Sequence, residues 1–71
     1  MNTILINGRI KKTHKDIVTY EDIVEWAGFN GHPTVIYQGA FENKRDGSLW
    51  AGRVVIVKDN TRFSVAHTTN A

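Results

Sequence analysis

The sequence predicts an α+β fold in which one short helix packs on a mixed sheet of four to five strands. An amphipathic segment over residues 19–28 is the clear helix pattern, short β-branched runs lie on both sides of it, and turn-forming pairs such as Asn7-Gly8 separate those runs. A chain of 71 residues has room for one small hydrophobic core. We therefore expect a single domain.

The N-terminal segment predicts a β-hairpin. Residues 3–7 form a short segment rich in β-branched and apolar side chains. Asn7-Gly8 is a favoured turn pair, and a second strand follows over residues 9–14. Alternation points Ile4 and Ile6 into the core, and we expect Ile10 to be their inward partner. Basic and titratable side chains follow: Lys11, Lys12, His14 and Lys15. Because no aromatic residue lies among them, they indicate a solvated face rather than a phosphate-binding patch.

The helix has a predicted beginning and end. Thr19 is the expected N-cap, and Asp22 at the third helical position completes a capping box that more often uses Glu or Gln. Gly28 ends the helix as a left-handed cap. The apolar stripe that should face the sheet consists of Tyr20, Ile23, Val24, Trp26 and Ala27. Ile17 and Val18, just before the cap, are interpreted as a hydrophobic staple for the first turn.

The remaining strands complete the predicted topology. Residues 34–38 predict a strand, the charged segment 39–47 an exposed loop, and residues 48–50 a short strand or an anchoring segment. A final hairpin is expected from Gly52 onward, turning at Asp59-Asn60. This order is that of a β-grasp domain, and the helix supplies the crossover that lets the first and last strands lie parallel at the sheet centre.

Composition excludes several functions. The chain has no Cys, which removes disulfides, thiolate metal sites and cysteine nucleophiles and indicates a reducing, cytoplasmic setting. A net charge of +2 argues against nucleic-acid binding over the whole domain. His14, His32 and His67 lack metal-ligand spacing. With no long apolar run and no independently supported catalytic set, we expect a soluble non-enzyme with no cofactor, no metal and no membrane partner.

Six segments, in order and at matching spacing, resemble the bacterial multiubiquitin-type family of ubiquitin-like proteins. They are Thr19–Gly28, Thr34–Tyr37, Gly47–Leu49, Gly52, Val55–Asp59 and Phe63–Val65 with Thr68. The likeness covers nearly the whole chain, although Asn60 stands where the family usually has a turn glycine. The resemblance implies a ubiquitin-like β-grasp domain over residues 1–66 and a flexible C-terminal tail over residues 67–71.

The resemblance also implies a function. It is that of a protein modifier of a bacterial ubiquitination-like operon, activated at its C-terminal carboxylate by E1-like and E2-like enzymes, conjugated to a target protein, and trimmed by a JAB-type metallopeptidase where a shorter mature end is needed. The conjugation tail is His67, Thr68, Thr69, Asn70 and Ala71. A non-covalent β-grasp interaction or self-assembly module, forming a homo-oligomer, is the alternative.

A partner-binding surface is predicted from alternation near the end of the chain. Family register turns Val55 and Val57 inward, so that Val54 and Ile56 face outward. With nearby Trp50 and Arg53 they form a candidate docking patch. The competing interpretation is that Trp50 folds over the apolar pair and that nothing else binds there.

Overall fold

The computed structural model describes residues 1–39 and 47–67 of the chain. In order, the elements are β1 (Asn2–Ile6), β2 (Arg9–Thr13), β3 (Ile17–Thr19), α1 (Tyr20–Ala27), β4 (Thr34–Gln38), β5 (Gly47–Leu49), β6 (Val54–Ile56) and β7 (Arg62–Ala66). Residues 40–46 of the predicted loop and residues 68–71 of the predicted tail lie outside the described residues.

Five strands form one mixed sheet in the order β2-β1-β7-β4-β5. The pairs β1–β2, β4–β7 and β4–β5 are antiparallel, whereas β1 and β7 run parallel with Leu5 opposite Arg62 and Ile6 opposite Phe63. Helix α1 lies between these two strands in the chain and packs on β1, β7, β4 and β3. The predicted α+β class, the N-terminal hairpin and the central parallel pair are confirmed.

The predicted final hairpin is wrong. Strand β6 pairs antiparallel with β3 in a separate two-stranded sheet, while β7 lies between β1 and β4 in the main sheet. The residues interpreted as a staple therefore form a strand. The pairing sets Val18, fully buried, opposite Val55, which is 1% exposed, so both side chains join the core, while β1 and β4 occupy both edges of β7.

A fully buried threonine fixes the passage from β6 to β7. The Thr61 hydroxyl oxygen accepts a hydrogen bond from the Lys58 backbone N–H at 3.0 Å and lies 3.1 Å from the Gly39 carbonyl oxygen and 2.9 Å from that of Lys58. Asn60 in the same turn has φ of 74°, a left-handed conformation that asparagine tolerates. The Thr61 side chain thus ties this turn to the end of β4.

Ile10 faces solvent instead of the core, contrary to expectation. In the β1–β2 register Ile10 lies opposite Leu5, and Lys11 lies opposite Ile4. Directly opposed residues share a face of the sheet, so Ile10 lies with Leu5 on the side away from the helix and is 69% exposed. The two-residue turn at Asn7-Gly8 fixes this register.

Both helix caps form as predicted. Thr19 has extended backbone angles, its hydroxyl accepts from the Asp22 N–H at 3.0 Å, and the Asp22 carboxylate accepts from the Thr19 N–H at 3.1 Å. Gly28 is left-handed with φ of 76°, and the Phe29 N–H reaches the Val24 carbonyl oxygen at 3.1 Å. These caps bind backbone groups that a helix of eight residues would otherwise leave unpaired.

The core lies between the helix and the sheets. Its members share low exposure and come from the helix, from every strand but β2, and from the residue that follows β6: Ile4, Ile6, Val18, Tyr20, Ile23, Val24, Val35, Tyr37, Leu49, Val55, Val57, Phe63 and Val65. The Tyr20 hydroxyl donates to the Pro33 carbonyl oxygen, and burial, followed by the nearby Glu21 charge, raises the pKa of this tyrosine. Tyr20 therefore stays neutral and anchors the loop before β4.

An ion pair links the β2–β3 loop to the helix. The Lys15 ammonium lies 2.8 Å from the Asp22 carboxylate. Partial burial by itself raises the pKa of Asp22, but hydrogen bonds from Lys15 and Thr19, together with the lysine charge, outweigh it and bring the pKa below its ordinary value of 3.8. The ionised carboxylate is thus bound more favourably in the folded chain than in the unfolded one.

Asp22→Asn is expected to flatten the acid limb of the stability curve. Because the folded-state pKa is lowered, the stabilisation by Asp22 is complete above the unfolded-state pKa and is lost as pH falls from about 4 through the folded-state value. At pH 7 the variant should be less stable by about 0.5–1 kcal/mol. Melting temperatures measured from pH 2 to 7 test this. Glu21→Gln, which removes an exposed charge from the same helical turn, is the control, and parallel acid limbs for Asp22→Asn and the unaltered chain would contradict the assignment.

Within residues 1–39 and 47–67, no helix is long and apolar enough to cross a membrane.

Candidate functional site

The predicted partner surface lies on the two-stranded β3–β6 sheet. Val54 is 54% exposed, the next residue Val55 is 1% exposed, and Val57 is buried. Ile56 is half-buried. Exposure along β6 therefore alternates in the predicted sense, with Val54 the more open of the two outward residues.

Strand β3 extends this surface with a residue that the sequence analysis assigned differently. Ile17 lies opposite Ile56, and Thr19 lies opposite Val54. Ile17 is 54% exposed. We call the surface made by Ile17, Thr19, Val54 and Ile56 the ribbon face. The signal for β3 was the β-branched run over residues 17–19, which is typical of a strand and was outweighed by its position before a helix cap.

Trp50 and Arg53 lie in the turn that leads into β6. The Arg53 N–H donates to the Trp50 carbonyl oxygen at 2.9 Å, and the Arg53 carbonyl oxygen accepts from the Tyr20 N–H at 3.2 Å. The Trp50 side chain is 66% exposed and lines a cavity of about 150 Å³ with Pro33 and other residues at the start of β4. Since Val54 also keeps more than half of its surface exposed, Trp50 does not bury it.

The start of the predicted tail contacts the end of the helix. Strand β7 ends at Ala66, and the ring centroid of the next residue, His67, lies 4.7 Å from that of Phe29. The other tail residues, Thr68 to Ala71, lie outside the described residues. The ring contact thus places the first tail residue against the residue that follows the helix cap.

Asn7 holds the end of β7 from the opposite side. Its carboxamide oxygen accepts from the Val65 N–H at 2.8 Å, and its amide nitrogen donates to the Val65 carbonyl oxygen at 3.1 Å. The Asn7 N–H also donates to the Phe63 carbonyl oxygen at 2.9 Å. The side chain therefore continues the parallel β1–β7 ladder where the backbone of β1 has already turned away.

A second surface was missed by the sequence analysis. The Lys11 ammonium lies 5.0 Å and that of Lys15 5.9 Å from the ring centroid of Trp26. Trp26, expected to be buried, is half-buried at the rim of the core. The basic residues were interpreted as a solvated face because no aromatic residue lies near them in the sequence. In the fold, the aromatic ring beside them is Trp26, which comes from the helix. Only the folded register, with Lys11 on the helix side of β2, brings these residues together.

The part of the chain that the structure describes contains no group of three His, Asp or Glu side chains able to hold a metal ion. His14 and His32 are exposed. What this geometry defines is a small α+β domain with open surfaces on the ribbon face, at the β2 edge and at the exit of β7. No family model, curated protein or solved structure matches the chain.

Proposed function

We propose that the chain is a ubiquitin-like protein modifier with a β-grasp fold. The observation that carries the proposal is the position of β7, which lies at the sheet centre, parallel to β1, and continues into an exposed His67. The sheet order and the helix between β1 and β7 agree with a β-grasp topology. In this arrangement the tail begins at a strand that has a neighbour on both sides, so an enzyme can engage residues 67–71 without unfolding the domain.

The chemistry belongs to partner enzymes. The tail carboxylate attacks the α-phosphate of ATP on an E1-like enzyme, which releases pyrophosphate and forms an acyl adenylate. A thiol or other nucleophile of the E1-like or E2-like partner displaces AMP, and an amine or hydroxyl of the target then displaces that nucleophile. Because the chain contains no Cys, it supplies the carboxylate and no thiol. A JAB-type metallopeptidase sets the mature end wherever Ala71 is not that end.

The ribbon face is proposed as the surface that docks the activating enzyme. Ile17 and Val54 are both 54% exposed, and the exposed Trp50 and Arg53 lie in the turn leading into β6. A protein that presents a tail to an enzyme needs a second contact, because a short polar segment carries little binding free energy by itself. The ribbon face, together with the adjoining Trp50 and Arg53, is proposed to provide that contact in the cytoplasm, with Val54 and half-buried Ile56 as its residues on β6.

The tail tests the proposal. We expect deletion of Asn70 and Ala71, or a folded tag fused after Ala71 that no peptidase removes, to abolish higher-mass adducts in cells that express the chain with its neighbouring genes. The physical reason is that activation requires a free carboxylate of the right reach. Intact-protein mass spectrometry of the purified adducts reports both attachment and trimming.

The same folded tag fused before Met1 is the matched control and should leave the adducts in place, since Met1 is 69% exposed and precedes β1. Melting temperatures of all variants must match, so that lost adducts are not lost folding. Adducts that persist undiminished in both tail variants would refute conjugation through this end.

A non-covalent assembly module is the second candidate, and the exposed apolar residues of the ribbon face favour it. Ile17, Ile56 and Val54 occupy one face of a two-stranded sheet, which gives a flat apolar patch suited to a second copy. Light scattering on the same preparations separates the two functions. A mass above that of one chain, with no adducts in any preparation, would support assembly over conjugation.

A further inference from the structure

Strand β2 forms an open edge of the main sheet. The two-residue turn makes Ile6–Arg9 and Ile4–Lys11 the pairs that exchange backbone hydrogen bonds, so the N–H and C=O groups of Ile10 and Lys12 point away from β1. In the described ranges β2 has a neighbour on one side only, and no hydrogen bond outside the ladder engages those outward groups. This edge is a template for one more strand.

A groove runs along this edge, between β2 and the C-terminal half of α1. Arg9 and Lys11 wall it on the strand side and Trp26 and Ala27 on the helix side, and its volume is about 450 Å³. We call β2 together with this groove the basic edge. It lies on a different part of the surface from the ribbon face, which β3 and β6 form.

The charge of the basic edge selects an acidic occupant. No Asp or Glu lines the groove, and the ion pair found among the described residues joins Lys15 to Asp22, which leaves Arg9 and Lys11 without a carboxylate. The Lys11 ammonium lies 5.0 Å from the Trp26 centroid, so a stacking nucleobase would have to displace it. A carboxylate would instead bind the ammonium where it already lies.

We propose that the basic edge binds an extended acidic segment of a partner protein by strand addition. The partner backbone pairs with the outward groups of Ile10 and Lys12. Alternate side chains of the added strand then point to opposite faces: acidic ones enter the groove beside Arg9 and Lys11, and apolar ones pack near Ile10, which is 69% exposed. This binding does not depend on conjugation through the tail.

A fluorescence titration tests the side-chain half of the proposal. In a Trp50→Phe background, Trp26 is the remaining tryptophan and reports occupation of the groove. The probe is a synthetic hexapeptide that alternates valine and glutamate. We expect saturable binding that weakens at least about tenfold in Arg9→Gln/Lys11→Gln and less than about twofold in Arg62→Gln/Lys58→Gln, which removes the same charges from other exposed positions. Equal weakening in both double variants, or no binding at all, would overturn the proposal.

Peptide N-methylation tests the backbone half without altering the protein. Two peptides of equal charge are made, one methylated at the backbone nitrogens of its valines and the other at those of its glutamates. Only one of them lacks the N–H groups that would face β2. We expect one peptide to lose binding and the other to keep it, with loss on valine methylation indicating an antiparallel strand. Equal binding by both peptides, or binding of hexaglutamate or hexathymidylate as tight as that of the alternating peptide, would show a simple anion site and overturn strand addition.

Discussion

Replacing Phe63 by alanine is expected to lower the free energy of unfolding by about 3–5 kcal/mol. Phe63 is 2% exposed and lies on β7 between β1 and β4, so neighbours on both sides are held in place and cannot collapse into the space left by the ring. A core of this size rarely supplies more than about 3–5 kcal/mol of net stability, so the variant should be largely unfolded at 25 °C. Urea denaturation followed by circular dichroism measures the loss.

The adjacent outward positions supply the control. Ser64→Ala and Arg62→Ala alter exposed side chains of the same strand and should change stability by no more than about 0.5 kcal/mol each. A loss below about 1 kcal/mol at Phe63 would mean that the ring is not at the centre of the core.

Thr61→Val is expected to cost about 2–3 kcal/mol although the two side chains have nearly the same shape. The Lys58 N–H loses its acceptor, and the carbonyl oxygen of Gly39 or Lys58 that accepts the hydroxyl proton loses a donor, around a Thr61 side chain that itself has no solvent exposure. Replacing a buried hydroxyl by a methyl group leaves its partner groups unpaired, and this costs more free energy than removing both members of the hydrogen bond together.

Thr61→Ser keeps the hydroxyl and removes only the methyl group, so it should cost about 1 kcal/mol and less than the valine variant. Hydrogen exchange of the Lys58 amide distinguishes the mechanism from simple repacking. Its protection should fall in Thr61→Val and persist in Thr61→Ser. The reverse order of stabilities would show that the methyl group, not the hydroxyl, holds the turn.

The features predicted correctly from the sequence are those that depend on residues close together in the chain. The Asn7-Gly8 turn, the Thr19 cap with its Asp22 partner and the Gly28 stop each depend on residues within four positions of one another, and all three form as expected. The parallel β1–β7 pair followed from connectivity, because a helical crossover permits it. Strand β3 was not predicted, because its partner β6 is far along the chain and a run of three residues is too short to show the two-residue alternation of a strand.

For the candidate surfaces, too, features within one strand were predicted and contacts between distant elements were not. Outward Val54 followed from alternation within one strand. The contact of Lys11 with Trp26 did not follow, because it joins a strand to a helix and depends on which face of β2 each lysine occupies. Ile10 was assigned to the wrong face for the same reason: its hydrophobicity suggested burial, whereas the turn register sets it opposite Leu5 on the outer face.

The central place of β7 has a consequence for synthesis on the ribosome. Translation delivers residues 1–61 before the strand that must lie between β1 and β4, so the nascent chain holds two strand edges that have no partner. Ile4 and Val35, buried in the finished domain, remain open to water or to other chains during that interval. Folding should therefore finish only after Arg62–Ala66 has left the exit tunnel, and a stalled ribosome that holds this strand back would display an aggregation-prone intermediate.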